Sequence, residues 1–127
     1  MCGITGFLNL NSFNQETATP ILKEMTNLLT HRGPDSSGYW LGDQPMIALG
    51  HRRLSILDLS VAGHQPMASA CGRYILTYNG EIYNHLEIRK ILEKKNPSIK
   101  WTGFSDTETL LKLIEVYGPE KAVLKLT

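Results

Sequence analysis

Tyr39-Trp40-Leu41-Gly42-Asp43-Gln44-Pro45-Met46-Ile47-Ala48-Leu49 sets two short apolar runs on either side of a four-residue break. Gly, Asp and Pro punctuate the middle, while the flanking Tyr, Trp, Leu and Ile suit a pleated, half-buried surface. The spacing predicts strands at 39–41 and 46–49 paired around a turn at 42–45. So short a connection leaves no room for a crossover helix, so the pair is antiparallel. The fold class that follows is α+β rather than a βαβ repeat.

The neighbouring segments extend that pattern. Cys2 to Leu10 reads as a strand, with Ile4, Phe7 and Leu8 among small residues. Thr19-Pro20 looks like a helix start, and Ile21, Met25, Leu28 and Leu29 then fall on one helical face before Gly33-Pro34 stops it. Arg53 to Leu59 alternates weakly, as an extended course would. Arg73 to Tyr78 is rich in strand formers. Asn84 is placed to cap a helix from His85 to about Lys95, with Leu86, Ile91 and Leu92 on or near its apolar side. Asp106-Thr107 opens a further helix with a stripe of Leu110, Leu111, Ile114 and Tyr117, closed by Gly118-Pro119. Pro119 starts a last helical stretch through Leu126.

At 127 residues there is one domain at most, with no repeat and no linker. Apolar residues are 42% and charged residues 20%, the composition of a globular chain. A formal charge of +1 gives no electrostatic reason for nucleic acid or an anionic membrane as partner. No apolar run is long enough to span a bilayer, and the start of the chain carries no secretory signal. Two cysteines, Cys2 and Cys71, do not make a disulfide framework, so the expected setting is reducing and cytoplasmic. Cys71, before Gly72-Arg73 in a turn, reads as a buried or edge thiol. The histidines lack ligand spacing and no Cys-x-x-Cys pair exists, so no metal site is expected.

Cys2 follows the initiator Met, and its small side chain suits removal of Met1 by an aminopeptidase. The mature terminus would then carry a thiol nucleophile and a free α-amine on one residue. An α-amine titrates at roughly 7.7–8.0, near enough to neutrality to take and return a proton. Taken alone, a cysteine at position 2 is a small residue in a frayed terminus.

Other motifs stand in order behind it: His31-Arg32-Gly33-Pro34-Asp35, Gly50-His51-Arg52-Arg53-Leu54-Ser55-Ile56-Leu57-Asp58, Gln65-Pro66-Met67, Tyr78-Asn79-Gly80-Glu81-Ile82-Tyr83-Asn84 and Ser105-Asp106-Thr107-Glu108. With Met1-Cys2-Gly3-Ile4, this series resembles the amino-terminal glutaminase domain of glutamine-hydrolysing asparagine synthetases. These belong to the class II glutamine amidotransferases, which are amino-terminal-nucleophile (Ntn) hydrolases. The resemblance runs from residue 2 to the end, and residues 1–127 would form the amino-terminal part of a longer type 2 domain.

The resemblance implies Cys2 as nucleophile, with the Asn79 side-chain amide and the Gly80 N–H as oxyanion hole. Two preset neutral donors are what a tetrahedral oxyanion requires. Read locally, Asn79-Gly80 is equally a hairpin turn. Arg53 is the implied fork for the substrate α-carboxylate, while Arg52 is expected to be solvated. Leu54, Ser55 and Ile56 would line the pocket. Glu81 and Asp106 are the carboxylates available to an α-ammonium; Asp106, at a helix start, is also a natural cap. His31 to Asp35 reads as a structural turn.

The implied fold is an αββα sandwich of two antiparallel sheets, incomplete over these residues, with exposed edges, an exposed apolar face and little or no activity from this piece alone. The implied substrate is L-glutamine and the implied partner a carboxy-terminal synthetase domain, which would use ATP and Mg2+ to activate aspartate; no cofactor is expected in the present residues. A homodimer is compatible with the sequence. Two rivals stay open: an amidotransferase of the same branch acting on another acceptor, such as a surface sugar or a peptide, and an inactive truncated binding module.

Overall fold

The structure is a computed structural model that describes residues 1–9, 14–43, 46–55 and 60–127. It is a mixed α/β fold with two antiparallel sheets and interspersed helices. The chain divides into two compact units: residues 1–56, 64–66 and 77–79 form one, and 57–63, 67–76 and 80–127 the other.

The first unit is built on three strands, β1 (Gly3–Asn9), β2 (Ser36–Asp43) and β3 (Met46–Arg53), in the order β1-β3-β2. The expected hairpin is present and longer than its apolar core, pairing from Asp43↔Met46 to Ser36↔Arg53. Its tip, residues 44–45, lies outside the described residues, as does Leu10. Polar His51, Arg52 and Arg53 remain in β3 because that strand is central. His51 faces Ile4 on one side and Gly38 on the other, so ladder hydrogen bonds outweigh a weak local strand preference. Of the expected extension through Leu59, residues 54–55 carry no strand, and 56–59 lie outside the described residues.

Helix α1 (Gln15–Asn27) packs on this sheet. It starts ahead of Thr19-Pro20: the Asn14 side chain caps it, accepting the Glu16 N–H at 2.9 Å, and Pro20 sits inside. The cap satisfies an otherwise orphaned donor earlier in the chain, while Pro20 removes a single donor from the ladder. The buried face is Ala18, Leu22 and Thr26, not the expected Ile21–Leu28 stripe; Leu28 is 73% exposed, while Met25 and Leu29 are half-buried. Gly50 of β3 explains the difference. A Cβ there would collide with the Thr26 hydroxyl and lie 3.2 Å from Leu22 Cδ1, so the glycine admits the small-residue face of the helix. Thr26 is buried without penalty because its hydroxyl donates to the Leu22 carbonyl at 2.6 Å. The helix ends at Asn27, ahead of the expected Gly33-Pro34 stop.

In the second unit, β4 (Met67–Ala68) pairs with β5 (Ile75–Leu76). The predicted strand at 73–78 shrinks to two residues. Tyr74 N–H is taken by the Ser69 hydroxyl at 3.0 Å, and Tyr78 N–H by the Gln65 side chain at 2.6 Å. Cys71 is exposed in the turn before Gly72, whose φ of 71° suits glycine.

Helix α2 (His85–Lys95) has the expected bounds with a different inner face. Ile88, Arg89 and Leu92 are buried, while Leu86 and Ile91 are exposed. Asn84 does not cap it with its side chain. Its amide instead donates to the Lys125 carbonyl at 2.8 Å and accepts the Thr127 N–H at 3.2 Å. Helix α3 (Asp106–Tyr117) buries Leu110, Leu111 and Leu113, and Gly118 closes it with φ 78°. Ile114 and Tyr117 of the expected stripe are half-buried. Helix α4 (Pro119–Val123) stops before Leu126, with Val123 and Leu124 exposed. Among the described residues no helix is long and apolar enough to cross a membrane.

Candidate functional site

Strand register positions the proposed nucleophile. Gly3 pairs with Arg52 at the end of the β1–β3 ladder, which brings the adjoining Cys2 to the end of β3 that carries Arg53. The thiol lies against the Leu54 backbone: Leu54 N–H donates to Sγ at 3.3 Å, and Sγ lies 3.7 Å from the Leu54 carbonyl as a weak donor. Cys2, Arg53 and Leu54 are half-buried. Cys2 and Arg53 thus lie at one end of the sheet, although they stand far apart in sequence.

The segment after β3 is held from below by the His31–Asp35 turn. Asp35 N–H donates to the Arg53 carbonyl at 3.1 Å, and Ser55 N–H donates to Asp35 Oδ2 at 2.7 Å. Arg52 is not free in solvent as expected. Its Nε donates to the Gly33 carbonyl at 2.8 Å and its Nη2 to Pro34 at 3.3 Å. In-register pairing turns Arg52 to the same face as Gly3 and Gly50, toward α1, so the neighbouring arginine is the one left on the Cys2 side. A Cβ at Gly33 would strike the Arg52 backbone, which accounts for glycine in that turn. Ile56 lies outside the described residues.

Asn79 belongs to the same unit as Cys2 and Arg53. It is exposed, and its side chain makes no hydrogen bond to another described residue. The hairpin alternative for Asn79-Gly80 is not what forms. Neither residue has positive φ, which a tight two-residue turn of that type demands, and no strand follows.

Gly80, Glu81 and Asp106 fall in the second unit. Glu81 is exposed. Asp106 is 6% exposed, and its Oδ2 accepts the N–H of buried Ile82 at 2.9 Å. It is the first residue of α3 rather than its cap; Ser105 caps, accepting Glu108 N–H at 3.2 Å. Asp106 therefore ties the Gly80–Ile82 segment to the start of α3. The loop before α3 is fixed by Arg89, whose role the sequence hid by placing a charge on an apolar helix face. Its guanidinium donates to Thr109 Oγ1 at 2.7 Å, to the Gly103 carbonyl at 2.9 Å and to the Ser105 carbonyl at 3.0 Å. It also pairs with Glu108 at 3.3 Å and lies 4.1 Å from the Trp101 ring centre. A cavity of about 330 Å³ in this unit, lined by Met67, Ser69, Lys100, Leu111, Lys112 and Glu115 among others, includes none of the residues to which the sequence reading gave a catalytic or substrate-binding role.

His51 and Gln65 also escaped notice as site components. His51 is 1% exposed. Burial holds its pKa below the ordinary 6.5, with the charges of His64 and Arg53 acting the same way and a hydrogen bond to the Tyr78 backbone opposing. Its place opposite Gly38, which has no side chain to interpose, was the available signal. Among the described residues no group of three or more His, Cys, Asp or Glu comes together as a metal site would need.

The whole of residues 1–127 matches the family model described as a glutamine amidotransferase domain. The chain is 38% identical over 123 residues to asparagine synthetase [glutamine-hydrolyzing] 1 of Bacillus subtilis, covering 96% of this chain and 19% of that protein. It is 42% identical over 119 residues to asparagine synthetase [glutamine-hydrolyzing] 1 of Arabidopsis thaliana, covering 93% and 19%. It is 34% identical over 126 residues to amidase chry2 of Gibberella zeae, covering 93% and 18%. The chain thus spans about a fifth of the length of these relatives.

Proposed function

The chain belongs to the glutamine amidotransferase domain family, and we propose that it hydrolyses L-glutamine to glutamate and ammonia through a thioester on Cys2. The observation that carries this reading is the seating of Cys2 Sγ on the Leu54 backbone, at the sheet end that also holds Arg53. After removal of Met1, the Cys2 α-amine takes the thiol proton, and the thiolate attacks the side-chain amide carbon of glutamine. The oxyanion is held by the Asn79 side-chain amide and the Gly80 N–H. The protonated α-amine returns its proton to the departing nitrogen, ammonia leaves, and a glutamyl thioester remains. Water activated by the same amine hydrolyses it, releasing glutamate and the thiol. Arg53 grips the α-carboxylate, Asp106 and Glu81 the α-ammonium, and Leu54 lines the pocket.

The proposed architecture is the Ntn-hydrolase αββα sandwich, to which residues 1–127 contribute the amino-terminal part. The Bacillus and Arabidopsis relatives are named glutamine-hydrolysing asparagine synthetases, which supports an aspartate activated in a synthetase domain as the proposed destination of the ammonia. ATP and Mg2+ belong to that domain, and no residue here is assigned to either. A relative with a different name, amidase chry2, keeps a second reading in view, in which the same ammonia source serves another acceptor such as a surface sugar or a peptide.

The test uses the full-length protein and a glutamine-shaped chloroketone. Intact mass is expected to show loss of Met1 and one adduct, abolished in Cys2→Ala, together with Cys2-dependent glutamate release. Retained Met1, or an unlabelled Cys2, overturns the proposal.

A further inference from the structure

Tyr78 is held at both of its backbone polar groups. Tyr78 N–H donates to Gln65 Oε1 at 2.6 Å. Because that donor is spent, the backbone group left for His51 is the Tyr78 carbonyl, and a carbonyl acceptor is also what raises a histidine's affinity for its proton. The other ring nitrogen, Nε2, is buried with no partner among the described residues. The ring therefore places its single proton on Nδ1 and directs it at Tyr78. Both holding groups are themselves fixed. His51 is in the central strand β3, paired on both sides. Gln65 is 7% exposed, and its backbone carbonyl lies where a Cβ of Gly38 would be, so the loop at 64–66 rests directly on β2.

The geometry points to His51 as a positioning residue: through Nδ1–H and the Tyr78 carbonyl it fixes the Tyr78–Asn79 peptide plane from which the Asn79 amide is presented to the oxyanion, while the Gln65 side chain holds the preceding peptide at the Tyr78 N–H. The Tyr78 carbonyl and the Asn79 N–H belong to one planar group, so holding the first orients the second. Protonation would install a donor at Nε2 with no acceptor among the described residues, so the neutral ring is the working form. This rests on the glutaminase reading above and adds to it the support of one oxyanion donor. Asn79 itself is exposed and its side chain makes no hydrogen bond to another described residue, so its orientation comes from the backbone behind it.

The test uses full-length protein carrying His51→Leu, His51→Gln or His51→Asn. The Asn amide nitrogen reaches the Nδ1 position, whereas the Gln amide reaches that of Nε2. In Leu and Gln variants, glutaminase kcat is expected to fall about 10–100-fold, part of what losing an oxyanion donor costs. KM for glutamine should stay within about threefold, because substrate grip lies elsewhere. Alkylation of Cys2 by iodoacetamide, which needs no oxyanion hole, should be unchanged, and the Asn variant should recover most of kcat. Tyrosine labelled at its carbonyl carbon and asparagine labelled at its amide nitrogen give a cross-peak for Tyr78–Asn79, with Tyr83–Asn84 as internal reference. The first should move in Leu and Gln variants and return with Asn, while the second stays. A kcat within threefold of the unsubstituted protein, a rise in KM alone, or an unmoved Tyr78–Asn79 cross-peak overturns the assignment. Absence of Cys2-dependent glutaminase activity in the unsubstituted protein defeats the underlying reading only, and the cross-peak then decides the clamp by itself. If His51→Leu does not fold, the contrast of Gln with Asn carries the result.

Discussion

Replacing Asp106 separates two duties that one carboxylate is proposed to perform. Oδ2 accepts the N–H of Ile82, a residue only 2% exposed, and the carboxylate lies in the first turn of α3. Asp106→Ala leaves that N–H buried without an acceptor, at about 1–3 kcal/mol. It also removes a negative charge from a helix N-terminus, a further loss of about 0.3–1 kcal/mol. Asp106→Asn keeps an acceptor oxygen, so its stability loss is limited to roughly the second figure. For glutamine the two variants behave alike, because both lose the charge facing the α-ammonium. A charge-assisted hydrogen bond of about 1.5–3 kcal/mol predicts a rise in KM of roughly 10–150-fold. Urea unfolding gives the stability difference, and steady-state glutaminase kinetics gives KM. The reasoning is refuted if Asp106→Asn destabilises as much as Asp106→Ala while KM stays within twofold, since Asp106 would then be a structural group alone.

Removing Arg89 strands the Gly103 and Ser105 carbonyls together with the Glu108 carboxylate, so Arg89→Met should cost about 3–5 kcal/mol in chemical denaturation. A cost under 1 kcal/mol would mean that the loop before α3 is held by something else. Gly38→Ala sets a methyl group into the Gln65 carbonyl, which is backbone and cannot swing aside. A loss of about 1–3 kcal/mol should appear in thermal unfolding, with a lower kcat. His51 has its folded pKa depressed, chiefly by burial, so the unfolded chain binds the proton more readily. Its share of stability is intact above pH 6.5 and is lost as pH falls from there through the lower folded value. Unfolding free energy measured across that window should decline, and the decline should be smaller in His51→Asn.

The antiparallel hairpin was legible because Gly42, Asp43 and Pro45 interrupt two strand-forming runs, and α2 because its bounds follow local chemistry. Helix faces were less legible. Hydrophobic periodicity selected Ile21 and Leu28 on α1, but a glycine in β3 favours the face with Ala18 and Thr26. On α2 it could not anticipate that Arg89 would be buried, since the acceptors that make this tolerable come from residues 103–109. Asn84 and Asp106 both have capping chemistry, yet each is used over long range, by Lys125 and Thr127 in one case and by Ile82 in the other.

Cys2 drew attention by its chemistry at the chain start, whereas Arg53, Asn79, Gly80 and Asp106 were picked out by the ordered motifs that carry the family resemblance. Their arrangement was not legible there. Cys2 reaches the Leu54 backbone because the β1–β3 register brings it to the end of β3, and a one-residue shift would turn every side chain to the other face. The choice of Arg53 over Arg52, and the hold of His51 and Gln65 on Tyr78, depend on that register and on loops resting against β2. Such contacts join residues distant in sequence, and only closing the sheet makes them neighbours.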